Sequence, residues 1–381
     1  MIYFDNAATT YPKPMSVVRA TETALLDYGA NPGRSGHRLS ASTSLKVYET
    51  REKCAELFKA DTENVTFTLN CTEAINFALK GVIEKMGFCH VITTDLEHNS
   101  VIRPLEKLQK QHKISYSIAN TGESDEEFLG SLTSLIKKNT KVIIMTAGCN
   151  VNGRITPIKR VAEIAKKYGI CLIADAAQAA GIIPLTLDDG INIICAPGHK
   201  GLYGPMGTGV LATDGKYPLS SLIEGGTGSQ SLDINQPDFL PDMLESGTIN
   251  TSGVIALAKG IDFIKSKGME NIRAHENMLC NYFIKAASAL DGIIIYRSEK
   301  LSYLPVVAFN IKGADSSEVA QYLSDNGIYL RAGFHCNFLA HRKLKTGRGG
   351  ALRFAPSVFN TRGDVSRLIR VLSGYKGHHA L

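Results

Sequence analysis

The chain has 381 residues, 44% of them hydrophobic and 20% charged, which is typical of a soluble globular protein with one large domain or two smaller ones. No apolar run approaches the length of a membrane span, and the N-terminus lacks the features of a signal peptide, so we expect a cytoplasmic protein with no membrane partner. The eight cysteines show neither CxxC pairs nor a metal-ligand spacing, so neither a disulfide framework nor a bound metal is expected.

Apolar runs alternate with amphipathic segments between residues 64 and 212. Strands are predicted for five of these runs, NVTFTLN, HVITT, KVIIMTA, ICLIADA and INIICA. Helical patterns such as TEAINFALKGVIEKMG and IKRVAEIAKKYG lie between several of them. This alternation predicts an α/β protein whose mostly parallel sheet has helices on both faces and binds ligands at the carboxyl ends of its strands.

The rest of the sequence predicts a smaller α+β unit. Residues 253–290 form a long helical pattern that leads into this unit. Strands are expected in PVVAFNIKG and YLRAG, and helices in SSEVAQYLSDNG and near DVSRLIRVLSG.

The segment TLNCTEAIN joins a predicted strand to a helix. Asn70 is a good N-cap, and Glu73 stands where a capping box has its glutamate. The free N–H groups of the first helical turn, with the Thr72 hydroxyl beside them, would form a cradle for a phosphate. A plain capped helix explains the same residues, and no Walker or GxGxxG pattern accompanies them, so an ordinary nucleotide site is not predicted.

Polar residues recur after the other apolar runs: His98, Asn150, Asp175, Gln178 and Lys200. Each of them alone has a plain explanation as a satisfied loop residue. Together with the phosphate cradle, however, they place a carboxylate, an amine and an imidazole at one edge of one sheet. A phosphorylated heteroaromatic aldehyde needs all of these groups, which indicates pyridoxal phosphate.

Motifs along the chain carry a family resemblance: DNAATT, NCTEAIN, LEHNS, ADAAQAAG, GHKGLYGPMGTGVL, ESGTINTSG, RAGFHC and LRFAPSVFNT. In this order they resemble the class V aminotransferase family, and more closely its branch of cysteine desulfurases and selenocysteine lyases. The resemblance implies the type I fold of pyridoxal-phosphate enzymes, with a seven-stranded type of sheet. It also implies a large cofactor-binding domain over residues 13–260 and a small domain over residues 261–381 together with 1–12.

The resemblance implies a role for each residue at the cofactor. Lys200 would carry the cofactor as a Schiff base, and Asp175 would keep its pyridine nitrogen protonated. Gln178 would donate to the phenolic oxygen, and His98 would stack on the ring and move protons on the substrate side. The phosphate would be held by the first helical turn and a histidine, that is by Cys71, Thr72 and His199.

Three further residues follow from the resemblance. Asn150 and Arg353 would bind the substrate carboxylate, Arg353 as a two-pronged donor. Thr248 matches a residue that reaches the phosphate in the neighbouring subunit, which implies a homodimer with shared sites.

Cys336 lies in the motif RAGFHC, directly after His335 and in a strongly basic stretch. In the family, the matching cysteine attacks the sulfur of bound L-cysteine and becomes a persulfide, while alanine is released. The 17-residue separation from Arg353 resembles the members with a short catalytic loop, which keep this cysteine recessed and pass sulfur to a protein acceptor.

Other activities remain open. A selenocysteine lyase shares the scaffold, and in another class V aminotransferase or lyase Cys336 would be incidental. A non-enzymatic scaffold has no use for Lys200, Asp175 and Arg353. The family pattern is also broken at a few positions: Pro197 replaces a serine, Cys71 a threonine, and Asn337 with Phe338 the usual pair after the cysteine.

The C-terminal part of the chain is basic. Residues 331–381 contain ten Lys or Arg against the single acid Asp364, but no RNA motif or basic helix accompanies them, so no nucleic-acid partner is expected. We expect Arg342, Lys343, Lys345 and Arg348 on an exposed loop. They would either attract an acidic partner or act only as solvated surface charges.

Overall fold

A seven-stranded sheet forms the centre of the structure, a computed structural model that describes residues 1–33 and 36–375. The short strand β1 (Ile2–Tyr3) lies outside this sheet. The sheet consists of β2 (Val65–Thr68), β3 (Cys89–Thr94), β4 (Ile114–Ala119), β5 (Thr140–Thr146), β6 (Cys171–Asp175), β7 (Ile193–Pro197) and β8 (Gly209–Thr213). Its order is β2-β8-β7-β6-β5-β3-β4, and only β8 runs against its neighbours. The predicted mostly parallel sheet is confirmed.

Six helices occur in the first half of the chain: α1 (Met15–Asp27), α2 (Arg38–Phe58), α3 (Cys71–Met86), α4 (Asn99–Lys110), α5 (Asp125–Ser134) and α6 (Ile158–Tyr168). Two buried cores lie against the sheet, one containing side chains of α2 and α6 and the other containing side chains of α3 and α4. Because helices cover both faces, most strands are continuous apolar runs. The strand β4, at the edge of the sheet, is only half-buried, and the sequence pattern missed it.

The long helical pattern at 253–290 is two helices, α7 (Thr251–Lys267) and α8 (Met269–Ala287). Gly268 separates them, with φ of 81°, a left-handed conformation that glycine adopts without steric cost. The apolar periodicity continues across this residue, so the sequence pattern alone did not reveal the break.

The C-terminal part forms the expected α+β unit. It contains β9 (Ile293–Ile295), β10 (Val307–Ile311), α9 (Ser316–Asp325), β11 (Ile328–Tyr329), α10 (Phe338–Leu344), β12 (Leu352–Phe354) and α11 (Arg362–Ser373). The strands β9, β10 and β12 form an antiparallel sheet, while β11 pairs with the N-terminal strand β1. A separate core, with Phe283, Phe309 and Phe354, fills this unit. The exact domain boundaries stay a prediction.

Within residues 1–33 and 36–375, no helix is long and apolar enough to cross a membrane. The same residues contain no group of three or more His, Cys, Asp or Glu side chains that could hold a metal ion.

Candidate active site

The residues predicted for the site follow strands of the central sheet. Asp175 is the last residue of β6, Lys200 lies three residues after β7, and His98 lies four residues after β3. Since these strands run in the same direction, their carboxyl ends share one edge of the sheet. The helix α3 begins at this edge too, because it follows β2 after only two residues.

Asp175 is almost fully buried, with 2% of its surface exposed. Its Oδ1 accepts a hydrogen bond from the Ala177 N–H at 2.9 Å and one from the Cys71 thiol at 3.7 Å. Burial raises the pKa of Asp175, although the Ala177 bond and the positive charge of Lys200 oppose this shift. A buried carboxyl group of this kind needs a partner of complementary charge, such as a protonated ring nitrogen.

Lys200 lies near enough to this carboxyl group for each charge to shift the pKa of the other. Burial lowers the pKa of its amine, and the positive charge of Arg353 lowers it further, whereas Asp175 acts in the opposite direction. A lowered pKa leaves more of the amine unprotonated, and therefore nucleophilic.

The N-terminal segment holds the turn that carries Lys200. Thr10 Oγ1 donates to the Lys200 carbonyl oxygen at 2.8 Å, and Lys13 Nζ donates to the His199 carbonyl oxygen at 2.6 Å. The Thr9 hydroxyl also donates to His199 O, at 3.1 Å. The motif DNAATT therefore fixes the main chain at the lysine rather than contributing a reacting group.

Glycines allow the turn of Lys200 to approach the turn of Gln178. A Cβ on Gly201 would lie 2.3 Å from the Ala180 carbonyl oxygen, and one on Gly181 would lie 2.1 Å from the Gly201 carbonyl oxygen. Gln178 itself is half-buried, and its Nε2 donates to Ala7 O at 3.0 Å. One amide hydrogen of Gln178 is thus used by the N-terminal segment, and the other remains for a ligand.

His98 is the N-cap of α4. Its Nδ1 accepts from the Ser100 N–H at 3.1 Å, so the proton of the neutral ring belongs on Nε2. Burial and the positive charges of Lys200, Arg331, Arg103 and Arg353 lower the pKa of His98 to about 4. A neutral imidazole that carries its proton on Nε2 is therefore present at neutral pH.

Part of the predicted phosphate cradle lies at the start of α3. Asn70 caps α3 by accepting from the Glu73 N–H at 3.0 Å, and Thr72 is exposed at the first turn. His199 Nδ1 is buried and has no hydrogen-bond partner among the described residues. The Cys71 side chain does not point to the cradle: its thiol contacts Asp175 and the Cys195 carbonyl oxygen, so only its main chain is available there.

Arg353, predicted to bind a substrate carboxylate, already has partners. Its Nη2 donates to Asp5 Oδ1 at 2.7 Å and its Nη1 to the Asn150 carbonyl oxygen at 2.9 Å. The Nε of Arg353 is buried and has no partner among the described residues. The Asn150 side chain, in contrast, bonds to His335 O and to Asn337 and not to Arg353.

Cys336 is exposed, whereas the other seven cysteines are buried. The recessed position expected for a short catalytic loop is therefore not found in the single chain. Arg331 Nη2 lies 4.0 Å from Cys336 Sγ, so a guanidinium charge faces the sulfur. His335 supplies no charge, because burial lowers its pKa to about 2 and its Nε2 donates to Ala351 O at 3.0 Å.

A cavity of about 360 Å³ joins three of the predicted residues. Cys336, His98 and Thr72 line it together, and so do Lys80, Arg103 and Lys107 on α3 and α4. Lys200 lines a separate cavity together with Gln178.

Thr248 lies elsewhere in the chain. It lines a separate cavity beside Asn31, Arg51 and Glu245, and it is exposed. Within one chain it therefore does not contribute to the group around Lys200.

Four contacts were missed at the sequence level: those of Asp5, Lys13, Arg331 and Asn337. Asp5 and Lys13 belong to the N-terminal motif region, which we used only as a sign of resemblance. Asn337 departs from the family pattern, and this departure could have indicated that the residue has a special contact.

Pyridoxal phosphate fits these side chains. The buried Asp175 carboxyl group suits a protonated pyridine nitrogen, and the unpartnered, buried His199 Nδ1 offers a contact for a further polar group. The start of α3 suits a phosphate, and the Lys200 amine suits an aldehyde.

The chain is similar to known proteins along almost its whole length. The chain matches the family described as aminotransferase class V over residues 2–368. A protein of Methanothermobacter thermautotrophicus named probable cysteine desulfurase is 30% identical, and the match covers 99% of this chain and 95% of that protein. A cysteine desulfurase of Haloferax volcanii is 27% identical, over 97% of this chain and 88% of its own length.

Solved structures of cysteine desulfurases are also similar to this chain. The apo structure of a cysteine desulfurase from Thermococcus onnurineus is 30% identical and superimposes with a TM-score of 0.91, covering 98% of this chain and 94% of that one. A cysteine desulfurase from Escherichia coli is 25% identical with a TM-score of 0.88, and the match covers 98% of this chain and 94% of that one.

Proposed function

Since the chain belongs to the class V aminotransferase family, we propose that it is a pyridoxal-phosphate-dependent cysteine desulfurase that forms L-alanine from L-cysteine. The sulfur would be held as a persulfide on Cys336. One observation carries the proposal: the single exposed cysteine among the eight lines the same cavity as His98 and Thr72, and His98 lies near enough to Lys200 for the lysine charge to lower its pKa.

Pyridoxal phosphate, when bound, supplies an electron-withdrawing ring that makes bonds at the substrate α- and β-carbons easier to break. Asp175 would hold the pyridine nitrogen, Lys200 the aldehyde carbon, and the first turn of α3 with His199 the phosphate. Borohydride reduction of the holoenzyme followed by peptide mapping should place the pyridoxyl label on Lys200. A label on another lysine would contradict the assignment.

Arg353 would orient the substrate through its carboxylate, using the buried Nε that has no hydrogen-bond partner among the described residues. The Cys336 sulfur would then bond to the substrate sulfur while the substrate Cβ–S bond breaks. The substrate β-carbon takes up one proton, so that a thiol and cysteine become a persulfide and alanine. His98 lies in the same cavity and carries a proton on Nε2 that it could exchange with the substrate.

The reaction is tested with Cys336→Ala and wild-type holoenzyme. The variant should keep the cofactor absorbance and still bind cysteine, but should release alanine far more slowly. Alanine release at the wild-type rate would refute the proposed function. Selenocysteine serves as a second substrate in the same assay, and preserved turnover of selenocysteine alone would favour a lyase.

A protein acceptor of acidic character is proposed to collect the sulfur at this cavity. Lys80, Arg103 and Lys107 form a basic groove there, in which the described residues include no carboxylate. Burial and the neighbouring charge of Lys107 lower the pKa of Lys80, as expected for cations that face each other without a counter-ion. A positive groove beside Cys336 would speed the approach of an acidic partner.

The basic residues that the sequence suggested for docking are less suitable. Arg342 and Lys343 lie in the helix α10 and not in a loop. Lys343 Nζ is bonded to Asp95 Oδ2 at 3.0 Å and to Asn120 Oδ1 at 2.9 Å, so its charge is already compensated. Lys345 and Arg348 are exposed and remain as solvated charges.

The basic groove is tested by alkylating Cys336 with anionic iodoacetate and with neutral iodoacetamide. Reversing the charges of Lys80, Arg103 and Lys107 should lower the rate with iodoacetate, relative to the rate with iodoacetamide, severalfold at low salt. At high salt this ratio should be closer to that of the wild-type protein. Lys138→Glu, at the opposite edge of the sheet, is the control. An unchanged ratio would exclude an electrostatic role of the groove.

A homodimer with shared sites is also proposed. The helices α1 and α2 expose large apolar side chains, among them Leu25 at 66%, Leu26 at 77% and Leu39 at 63%. Apolar surface of this size suits an interface. In such a dimer the exposed Thr248 of one subunit would be free to reach the phosphate in the other.

A further inference from the structure

The segment that carries Cys336 is anchored by a buried asparagine. Asn337 has no exposed surface, and its Nδ2 donates both to the Leu96 carbonyl oxygen at 2.7 Å and to Asn150 Oδ1 at 2.8 Å. Its Oδ1 accepts from the Ala340 N–H at 3.0 Å, which caps α10. Both amide hydrogens and the amide oxygen of Asn337 are therefore engaged.

The neighbouring residues are held by the same two loops. Asn150 Nδ2 donates to the His335 carbonyl oxygen at 2.7 Å, and the Asn99 N–H donates to the Cys336 carbonyl oxygen at 2.9 Å. The carbonyl oxygens of His335 and Cys336 thus accept hydrogen bonds from residues that follow β5 and β3, respectively. We refer to these bonds, together with those of Asn337, as the asparagine clasp.

The clasp holds a strained backbone. His335 and Cys336 have φ of 49° and 55°, and both are therefore in the left-handed region that residues with a Cβ disfavour. Two consecutive residues of this kind persist only where surrounding contacts fix them. The bonds of Asn150, Asn99 and Asn337 are such contacts.

We propose that Asn337 is a positioning residue that, together with Asn150, fixes Cys336 in its left-handed conformation and directs its sulfur into the cavity shared with His98 and Thr72. This inference rests on the proposed function of Cys336. Asn337 itself is buried and does not line that cavity, so it acts on the reaction only through the placement of the cysteine.

The amide is required because it combines donors with an acceptor. A serine at position 337 would still cap α10 with its hydroxyl oxygen, but it is too short to bridge Leu96 O and Asn150. An aspartate would keep the shape and the cap, but it would place a carboxylate oxygen, which cannot donate, against Leu96 O and Asn150 Oδ1. Asn337→Ser and Asn337→Asp therefore remove the bonds of Asn337 to Leu96 and Asn150, which are its part of the clasp, while retaining the helix cap.

The test uses the holoenzyme of wild type, Asn337→Ser and Asn337→Asp. Single-turnover formation of the persulfide from cysteine should slow by about 10- to 100-fold, as expected when a reacting group is displaced by about 1 Å. The affinity for cysteine, measured from the change in cofactor absorbance, should stay within about twofold of wild type because the bonds of Arg353 remain. The split between rate and affinity distinguishes positioning from loss of the substrate site.

A second readout is independent of activity. Hydrogen exchange of the amides in residues 334–344 should become faster in both variants, since their anchors to Leu96 and Asn150 are lost. Asn192→Ser is the matched control: Asn192 is also a buried asparagine with two bonds, to Leu172 N and Asp214, but it lies at the opposite edge of the sheet. The Asn192→Ser substitution should lower the free energy of unfolding without changing hydrogen exchange of the amides in residues 334–344.

Two outcomes would overturn the proposal. One is persulfide formation and amide exchange within about twofold of wild type in both variants. The other is an equal loss of rate in Asn192→Ser, because the effect would then follow general stability. If wild-type enzyme forms no persulfide at all, the proposed function fails, while the exchange measurement still decides whether Asn337 holds the segment.

Discussion

Replacing Asp5 by Asn should destabilise the protein through Arg353. The guanidinium is buried, with 2% of its side chain exposed, and its partner Asp5, with 19% exposed, lies 2.7 Å away. At that separation two unit charges attract by about 6 kcal/mol for an effective dielectric constant of 20. Much of this attraction offsets the cost of burying the charges, and removing one partner of a buried pair typically costs about 3–5 kcal/mol.

Because Asp5 retains some contact with solvent, we expect the lower end of that range, about 3 kcal/mol for Asp5→Asn. For 381 residues the entropy of unfolding near Tm is about 0.8 kcal/mol/K, so the corresponding fall in Tm is about 4 °C, measured by calorimetry at fixed protein and cofactor concentrations. The exposed Asp291→Asn is the control and should leave Tm almost unchanged.

A double-mutant cycle separates this effect from simple loss of contacts. Arg353→Met removes the buried charge. In that background, Asp5→Asn should lower the free energy of unfolding by about 2 kcal/mol less than it does in the wild-type protein. If the two substitutions are additive within about 0.5 kcal/mol, the pair is not coupled and the argument from buried charge is wrong.

Three further outcomes are expected. Burial raises the pKa of Glu276 to about 8, so the folded protein keeps a proton that the unfolded chain releases above its ordinary pKa of 4.5. Stability from this group is therefore lost as pH rises from about 4.5 to 8, and Glu276→Gln should flatten Tm over that range. Gly201→Ala should weaken cofactor retention, measured by absorbance after dialysis, because its Cβ would press on the Ala180 carbonyl oxygen at 2.3 Å. Leu26→Glu should shift the protein towards monomer in analytical ultracentrifugation, and an unchanged mass would argue against α1 as the interface.

The sequence by itself determined five of the seven strands of the central sheet, though not β4 and β8, and it placed several candidate site residues at the ends of those strands. The five predicted strands are apolar runs because they are buried on both faces. A strand buried in this way needs consecutive apolar residues, which can be recognised in the sequence. Asp175, Gln178 and Lys200 were placed correctly at the sheet edge because each follows a strand within a few residues, so a short segment fixes its position. The break between α7 and α8 was missed because one glycine does not interrupt the apolar periodicity.

Only the tertiary structure decided how the side chains at the site are paired. Asp5 and Arg353 are 348 residues apart, and Asn150 and Asn337 are 187 residues apart, yet each pair is in direct contact. Lys343 likewise finds its partner Asp95 across 248 residues. Local patterns report which face of a segment is buried, but hydrogen bonds between distant residues depend on how the sheet and the α+β unit pack against each other. The sequence therefore indicated candidate reacting groups, and the packing determined which residues hold them in place.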